Sequence, residues 1–155
     1  MIGRAVLQVF ADYNQFYVQD GVVEPPAPEE WSEADIANRA KVAKNVVVVC
    51  PLRNMLVPVE LEVHADKPSI QLSRWDHVVL CDLSLLSGRL QVHECTGGEL
   101  LNWAVAPGHY QVALLYSGLG TLSQDGFEGE DRYHVVLWPG PEQPLQVLRS
   151  WQVEA

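Results

Sequence analysis

Residues 57–65 read Val57-Pro58-Val59-Glu60-Leu61-Glu62-Val63-His64-Ala65. Apolar and polar side chains alternate along this stretch, and in a β-strand successive side chains point to opposite faces. Val57, Val59, Leu61, Val63 and Ala65 are therefore expected to face a core, while Pro58, Glu60, Glu62 and His64 face water. Proline has no N–H to give to a ladder, so the strand should begin at Pro58 or lie at a sheet edge. Further short strand candidates, several bounded by Gly, Pro, Asp or Ser, lie at 4–10, 14–19, 77–83, 88–95, 100–105, 109–117, 133–138 and 144–151. Residues 45–50, Asn45-Val46-Val47-Val48-Val49-Cys50, do not alternate and read as a central strand covered on both faces. Many short strands at close spacing predict an all-β fold, an antiparallel β-sandwich. Val59, Leu61, Val63, Tyr110, Val112, Leu114, Val135 and Leu137 are its expected core.

One segment departs from this pattern. Residues 24–30 are rich in Pro and Glu, and Pro25, Pro26 and Pro28 exclude both ladder pairing and helix. Trp31 follows, then Ser32-Glu33-Ala34-Asp35, which resembles a capping box with acids placed where a helix dipole favours them. The spacing predicts a short helix over about 33–40 with Ile36, Ala37 and Ala40 turned inward, closing one end of the sandwich. Pro107-Gly108, Pro139-Gly140-Pro141 and Gly97-Gly98 mark turns. Residues 118–131 form the longest loop after the Pro-rich stretch. With no internal repeat and no break in composition, residues 1–155 are expected to form one domain.

The composition narrows the function. No apolar run approaches the roughly 20 residues that span a bilayer. Met1-Ile2-Gly3-Arg4 does not open a secretory signal pattern. Three cysteines, Cys50, Cys81 and Cys95, are an odd number and far apart, which argues against a disulfide framework. A cytoplasmic protein is the expectation. Twenty acids against ten bases leave a net charge of −10. Such a field repels nucleic acid and anionic membranes and favours a basic protein partner. The same charge also serves plain solubility.

The catalytic inventory is poor. There is no phosphate-binding glycine loop, no Gly-x-Ser-x-Gly elbow and no His-Glu-x-x-His helix. The cysteines lack the paired spacing of a zinc site and read as core thiols. Glu60, Glu62 and His64 share one strand face and would hold a metal only with another strand's help, from His77 or His93 for instance. Residues two apart on a strand are about 7 Å from each other, and a solvated polar face is the simpler reading. No cofactor and no metal are expected.

Two acidic segments carry the functional signal. Residues 125–131, Asp125-Gly126-Phe127-Glu128-Gly129-Glu130-Asp131, place four carboxylates within seven residues. The spacing is not that of a helix-loop-helix calcium site. The loop reads as a solvated hairpin or as a protein-binding loop with Phe127 as its apolar anchor, with ion binding by its carboxylates a third, minor alternative. The second segment holds Glu24, Glu29, Glu30, Glu33 and Asp35 around Trp31, with Tyr13, Phe16 and Tyr17 just upstream. Carboxylates imitate phosphates and aromatic rings imitate bases, so such a surface suits the basic groove of a nucleic-acid enzyme. Trp31 could equally plug the helix onto the sandwich.

Asp12-Tyr13-Asn14-Gln15-Phe16-Tyr17-Val18 resembles the opening strand of the ComJ family of nuclease inhibitors, which tends to show Tyr-x-Gln-Phe-x-Val. Here those positions are Tyr13, Gln15, Phe16 and Val18. Trp31, Ser32, Glu33 and Ile36 fit the family's Trp-Ser/Thr step into an acidic, helix-like segment. Gly108-His109-Tyr110-Gln111-Val112 and Tyr133-x-x-x-Leu137-Trp138-Pro139-Gly140 are similar to strands of related bacterial proteins. Residues 45–105 carry no specific match. The resemblance implies a small, β-rich, intracellular inhibitor, and it transfers no inhibitory residues.

Together these readings predict a non-catalytic inhibitor or immunity-type protein that neutralises a basic nuclease or toxin. Its expected contacts are Glu29, Glu30, Trp31 and Glu33, then Asp125, Phe127, Glu128, Glu130 and Asp131. The alternative is a small-ligand or carbohydrate-binding sandwich, with Trp75, Trp103 or Trp138 as the stacking platform.

Overall fold

The computed structural model describes residues 1–21 and 31–151. Eleven strands and one helix follow in chain order. They are β1 (Gly3–Phe10), β2 (Phe16–Asp20), α1 (Glu33–Asn38), β3 (Ala40–Ala43), β4 (Val46–Val49), β5 (Leu56–Val63) and β6 (His77–Leu85), then β7 (Arg89–Glu94), β8 (Gly98–Ala104), β9 (Gly108–Ser117), β10 (Arg132–Pro139) and β11 (Gln146–Arg149). One sheet runs β1-β5-β10-β9-β6-β11 and the other β3-β4-β2-β7-β8.

The inner faces of both sheets share one core. Val59, Leu61, Val63, Tyr110, Val112, Leu114, Val135 and Leu137 come from the first sheet, and Phe16, Val18, Val47, Val49, Leu90 and Val92 from the second. All eight residues expected in the core are buried. The fold is an all-β sandwich. β4 lies between β2 and β3, and its four valines are buried on both faces. The outer face of the first sheet holds a second apolar cluster of Val78, Leu80, Ala113, Leu115, Val136 and Trp138, partly covered by Ile70 and Trp75. That cover is why β6 and β9 show no clean alternation.

Four expectations are corrected. β5 is internal, flanked by β1 and by β10. Pro58 is tolerated because the pairing with β10 starts only at Val59, so one flank is still open at the proline. The β5–β10 pair is parallel, whereas every other pair is antiparallel. Ala65 lies beyond the strand and is exposed. Helix α1 ends at Asn38, because Arg39 turns left-handed at φ 57° and its N–H donates to the Ile36 carbonyl. Ile36 and Ala37 consequently face solvent, and Ala40 is buried as the first residue of β3, a strand the sequence reading did not separate from the helix.

Candidate functional site

One end of the sandwich collects most of the irregular chain. The turn 11–15 joins β1 to β2, α1 leads into β3, residues 50–55 join β4 to β5, and residues 118–131 join β9 to β10. Backbone and side-chain bonds tie these pieces together. The Ala11 N–H donates to the Met55 carbonyl at 2.9 Å. Asn14 Nδ2 donates to the carbonyls of Pro51 and Leu52 at 3.2 and 3.1 Å. The Leu52 N–H in turn donates to the Tyr133 hydroxyl at 2.9 Å.

That hydroxyl also donates to Asp131 Oδ2 at 2.6 Å, and Asp131 Oδ1 lies 2.6 Å from Arg53 Nε. Asp131 is fully buried. Burial, followed by the bond to Asp131, holds the Tyr133 phenol protonated by pushing its pKa well up. Asp131 thus anchors the loop to the 50–55 link and offers no surface contact. Gly118 closes the loop from the other side. Its φ is 68°, and a Cβ there would collide with the Glu130 carbonyl.

The remaining loop acids divide by role. Asp125 Oδ1 accepts from Ser123 Oγ at 2.5 Å and from the Phe127 N–H at 3.0 Å. Those two bonds, the serine's first, lower its pKa. The loop is further pinned by the Ser123 N–H to the Glu128 carbonyl at 2.7 Å. Phe127 stays 55% exposed, and Glu128 and Glu130 are exposed beside it.

On the other side of the 50–55 link, Tyr13, Trp31, Ile36, Arg39, Cys50 and Leu52 line a groove of about 350 Å³. Tyr13 is 68% and Ile36 64% exposed. Tyr13 and Asn14 both hold left-handed φ, 56° and 57°, a conformation that non-glycine residues rarely adopt. Ser32 caps α1: its side chain accepts from the Asp35 N–H at 3.0 Å, and the Asp35 carboxylate accepts from the Ser32 N–H at 3.0 Å. The bond from the Ser32 backbone, then the one from Lys41, lowers the Asp35 pKa. Lys41 Nζ also sits 5.5 Å from the Trp31 ring centre. Trp31 is half-buried and lines the groove; Glu33 is exposed.

Of the second acidic segment the structure describes Trp31, Glu33 and Asp35, at the same end as the 125–131 loop. Trp31 shares the groove with Leu52, Glu33 opens α1, and the 125–131 loop is held by Arg53. Glu24, Glu29 and Glu30 lie outside the described residues. The exposed apolar groups Ile36 and Leu56 were missed by the sequence reading, because helical and strand periodicity assigned one to a core and left the other unassigned. Leu56 is 52% exposed and pairs with Phe10 at the ends of β5 and β1.

Other chemistry resolves into structure. Glu60 meets Arg4 and His134, the latter at 3.3 Å, and Glu62 meets His64 at 3.2 Å. His77 and His93 do not join that row, since His77 binds the Asn38 carbonyl and His93 binds Gln91. Among the described residues no group of three or more His, Cys, Asp or Glu is placed to hold a metal. Ser84 Oγ lies 2.9 Å from His109 Nδ1, and Glu142 Oε1 lies 3.7 Å from the same nitrogen. A hydrolytic relay needs the serine and the acid on opposite ring nitrogens, so this trio is not one. Burial pushes the Cys50 thiol up to about 12 and the Cys81 thiol higher still. Of the tryptophans, Trp138 is 3% exposed and Trp103 packs on the core. Trp75 lines a groove of about 430 Å³ with Glu62, Gln71, Arg74 and His134. Among the described residues no helix is long and apolar enough to cross a membrane.

No family model matches the sequence, and no curated protein matches it. Among solved structures, ComJ from Bacillus subtilis aligns over 89% of this chain and 96% of its own, with a TM-score of 0.67 and 14% identity. The chain has the ComJ fold. ComJ is described as the inhibitor of the DNA-degrading activity of NucA. A second structure, crocagin biosynthetic gene J, aligns over 89% of this chain and 96% of its own, with a TM-score of 0.55 and 17% identity. In this ComJ-like frame the residues that carried the resemblance separate cleanly. Phe16 and Val18 are core residues of β2, while Tyr13 and Trp31 line the groove at the sandwich end.

Proposed function

We propose that this chain is a binding protein without catalysis that inhibits a basic nuclease or toxin in the cytoplasm, and that the loop-bearing end of the sandwich is its inhibitory face. The observation that supports this reading is that Trp31 and Glu33 lie at the same end as the 125–131 loop in a fold shared with a nuclease inhibitor. Glu29, Glu30, Glu33, Glu128 and Glu130 would pair with the Lys and Arg of a nucleic-acid groove. Tyr13, Trp31 and Phe127 would supply the apolar anchors, since buried aromatics carry most of the energy of such interfaces. A net charge of −10 would steer the encounter. Asp125 and Asp131 are assigned to holding the loop rather than to contact.

Immobilised protein should capture a nuclease from the source organism at low salt and release it at high salt. The eluate should cleave DNA, and added protein should suppress that cleavage. Capture of no nuclease at any salt concentration would remove the proposal. A second reading, a small polar ligand in the Trp75 groove, is favoured only by the polar lining of that groove. Binding of a glycan without any protein partner would turn the choice toward it.

A further inference from the structure

Among the described residues the two sheets have four unpaired edges, and three of them carry features that discourage pairing with another chain. β3 is four residues long and carries Lys41, with Lys44 just after it. β11 is also four residues long, with a register break between Val147 and Arg149. β8 has Glu99 and an extra residue at Leu100, which breaks its register against β7. Short edges, lysines, inward or edge charges and bulges are the usual protections of an exposed strand.

β1 has only the single charge of Arg4. It is eight residues long and pairs with β5 without a break from Gly3↔Val63 to Phe10↔Leu56. Residues 1–11 contain no Lys, no Pro and no acid, in a protein of net charge −10, and Arg4 is their one charged side chain. Its outer face is largely apolar: Ile2 is 68%, Val6 65% and Phe10 38% exposed. Two copies can approach here without bringing acids together.

The sequence of β1 also matches itself. When two copies pair antiparallel about a two-fold axis at Val6, Val6 lies opposite Val6, Ile2 opposite Phe10, Arg4 opposite Gln8, and Leu7 opposite Ala5. Apolar side chains then meet apolar ones, and the arginine meets an amide. A register shifted to put Arg4 opposite Arg4 would set like charges together, which destabilises a cross-strand pair. We infer that β1 is a homodimer edge, through which two copies join their first sheets into one continuous twelve-stranded sheet. Because the paired strands run in opposite directions, the two loop-bearing ends would point away from each other, leaving both free.

Sedimentation over a concentration series tests this with variants at an exposed position. The wild type should dimerise. Val6→Lys and Val6→Glu should each weaken dimerisation at least about tenfold, because like charges would face each other at the axis. Their equimolar mixture should recover the dimer, a rescue that loss of folding would not produce. Circular dichroism should show all variants folded. A wild type that remains monomeric at several hundred micromolar overturns the inference, as does a Val6→Lys variant that dimerises like the wild type. A monomer whose Val6→Lys variant also loses capture of a nuclease would assign the edge to the partner, and would equally overturn self-pairing.

Discussion

His77 shows how one buried side chain can tie an element to its surroundings. It begins β6 and is fully buried. Its Nε2–H donates to the Asn38 carbonyl at 2.7 Å, and its Nδ1 accepts from the Trp151 N–H at 3.1 Å. Both bonds require the neutral ring protonated at Nε2 alone. Burial, assisted by nearby Arg39, holds the His77 pKa below its usual value. The folded pKa is thus below that of the unfolded chain, about 6.5. The stabilisation is complete above that pH and is lost as the pH falls below it. The melting temperature should therefore drop between pH 7 and pH 5, and His77→Gln should flatten that slope. A slope unchanged in the variant would assign the effect to other groups, with His134 first, since burial also lowers its pKa. Asp131 gives a second test at this scale. Asp131→Asn would leave Arg53 without its counter-charge in a site 10% exposed at the arginine, at a cost of about 3–5 kcal/mol in chemical unfolding. A loss below about 1 kcal/mol would mean the pair does not hold the loop.

β5 was the most legible element. Its alternation assigned every residue from Val57 to Val63 to the correct face, because a side-chain period of two leaves no freedom once one face is buried. Leu61→Ala should cost about 2–5 kcal/mol through lost transfer energy and the cavity left behind. Equilibrium denaturation checks this, and a change under about 0.5 kcal/mol would mean the site collapses freely. α1 was half legible. The capping box at Ser32 fixed its start, but its end depended on Arg39 adopting a left-handed conformation, which nothing in the local sequence demands of an arginine. The apolar Ile36 suggested an inward face, whereas a six-residue helix at the rim of the sandwich has no core beneath it. β3 was hidden for the same reason: Ala40 continued the helical spacing, and only pairing with β4 makes it a strand.

At the scale of the molecule, an all-β sandwich was readable from strand number and spacing, but the strand order was not. The parallel β5–β10 contact joins segments about 75 residues apart, and long-range pairing of this kind leaves no local pattern. The sequence pointed to two acidic segments; the described members Trp31, Glu33, Phe127, Glu128 and Glu130 lie at one end, and their role as a site is the proposal. It misread Asp131, because a buried carboxylate and a surface one look alike until Arg53 is seen beside it. The proposal that this end inhibits a nuclease is tested most directly by titration. Inhibition of DNA cleavage by the captured nuclease should be titrated with the wild type and with Glu33→Lys, Glu128→Lys, Glu130→Lys combined, all three positions being exposed. The variant should melt as the wild type does and inhibit at least about tenfold more weakly at low salt, with the gap narrowing as salt screens the steering over about 8–10 Å. Equal inhibition by the two proteins would contradict the proposal.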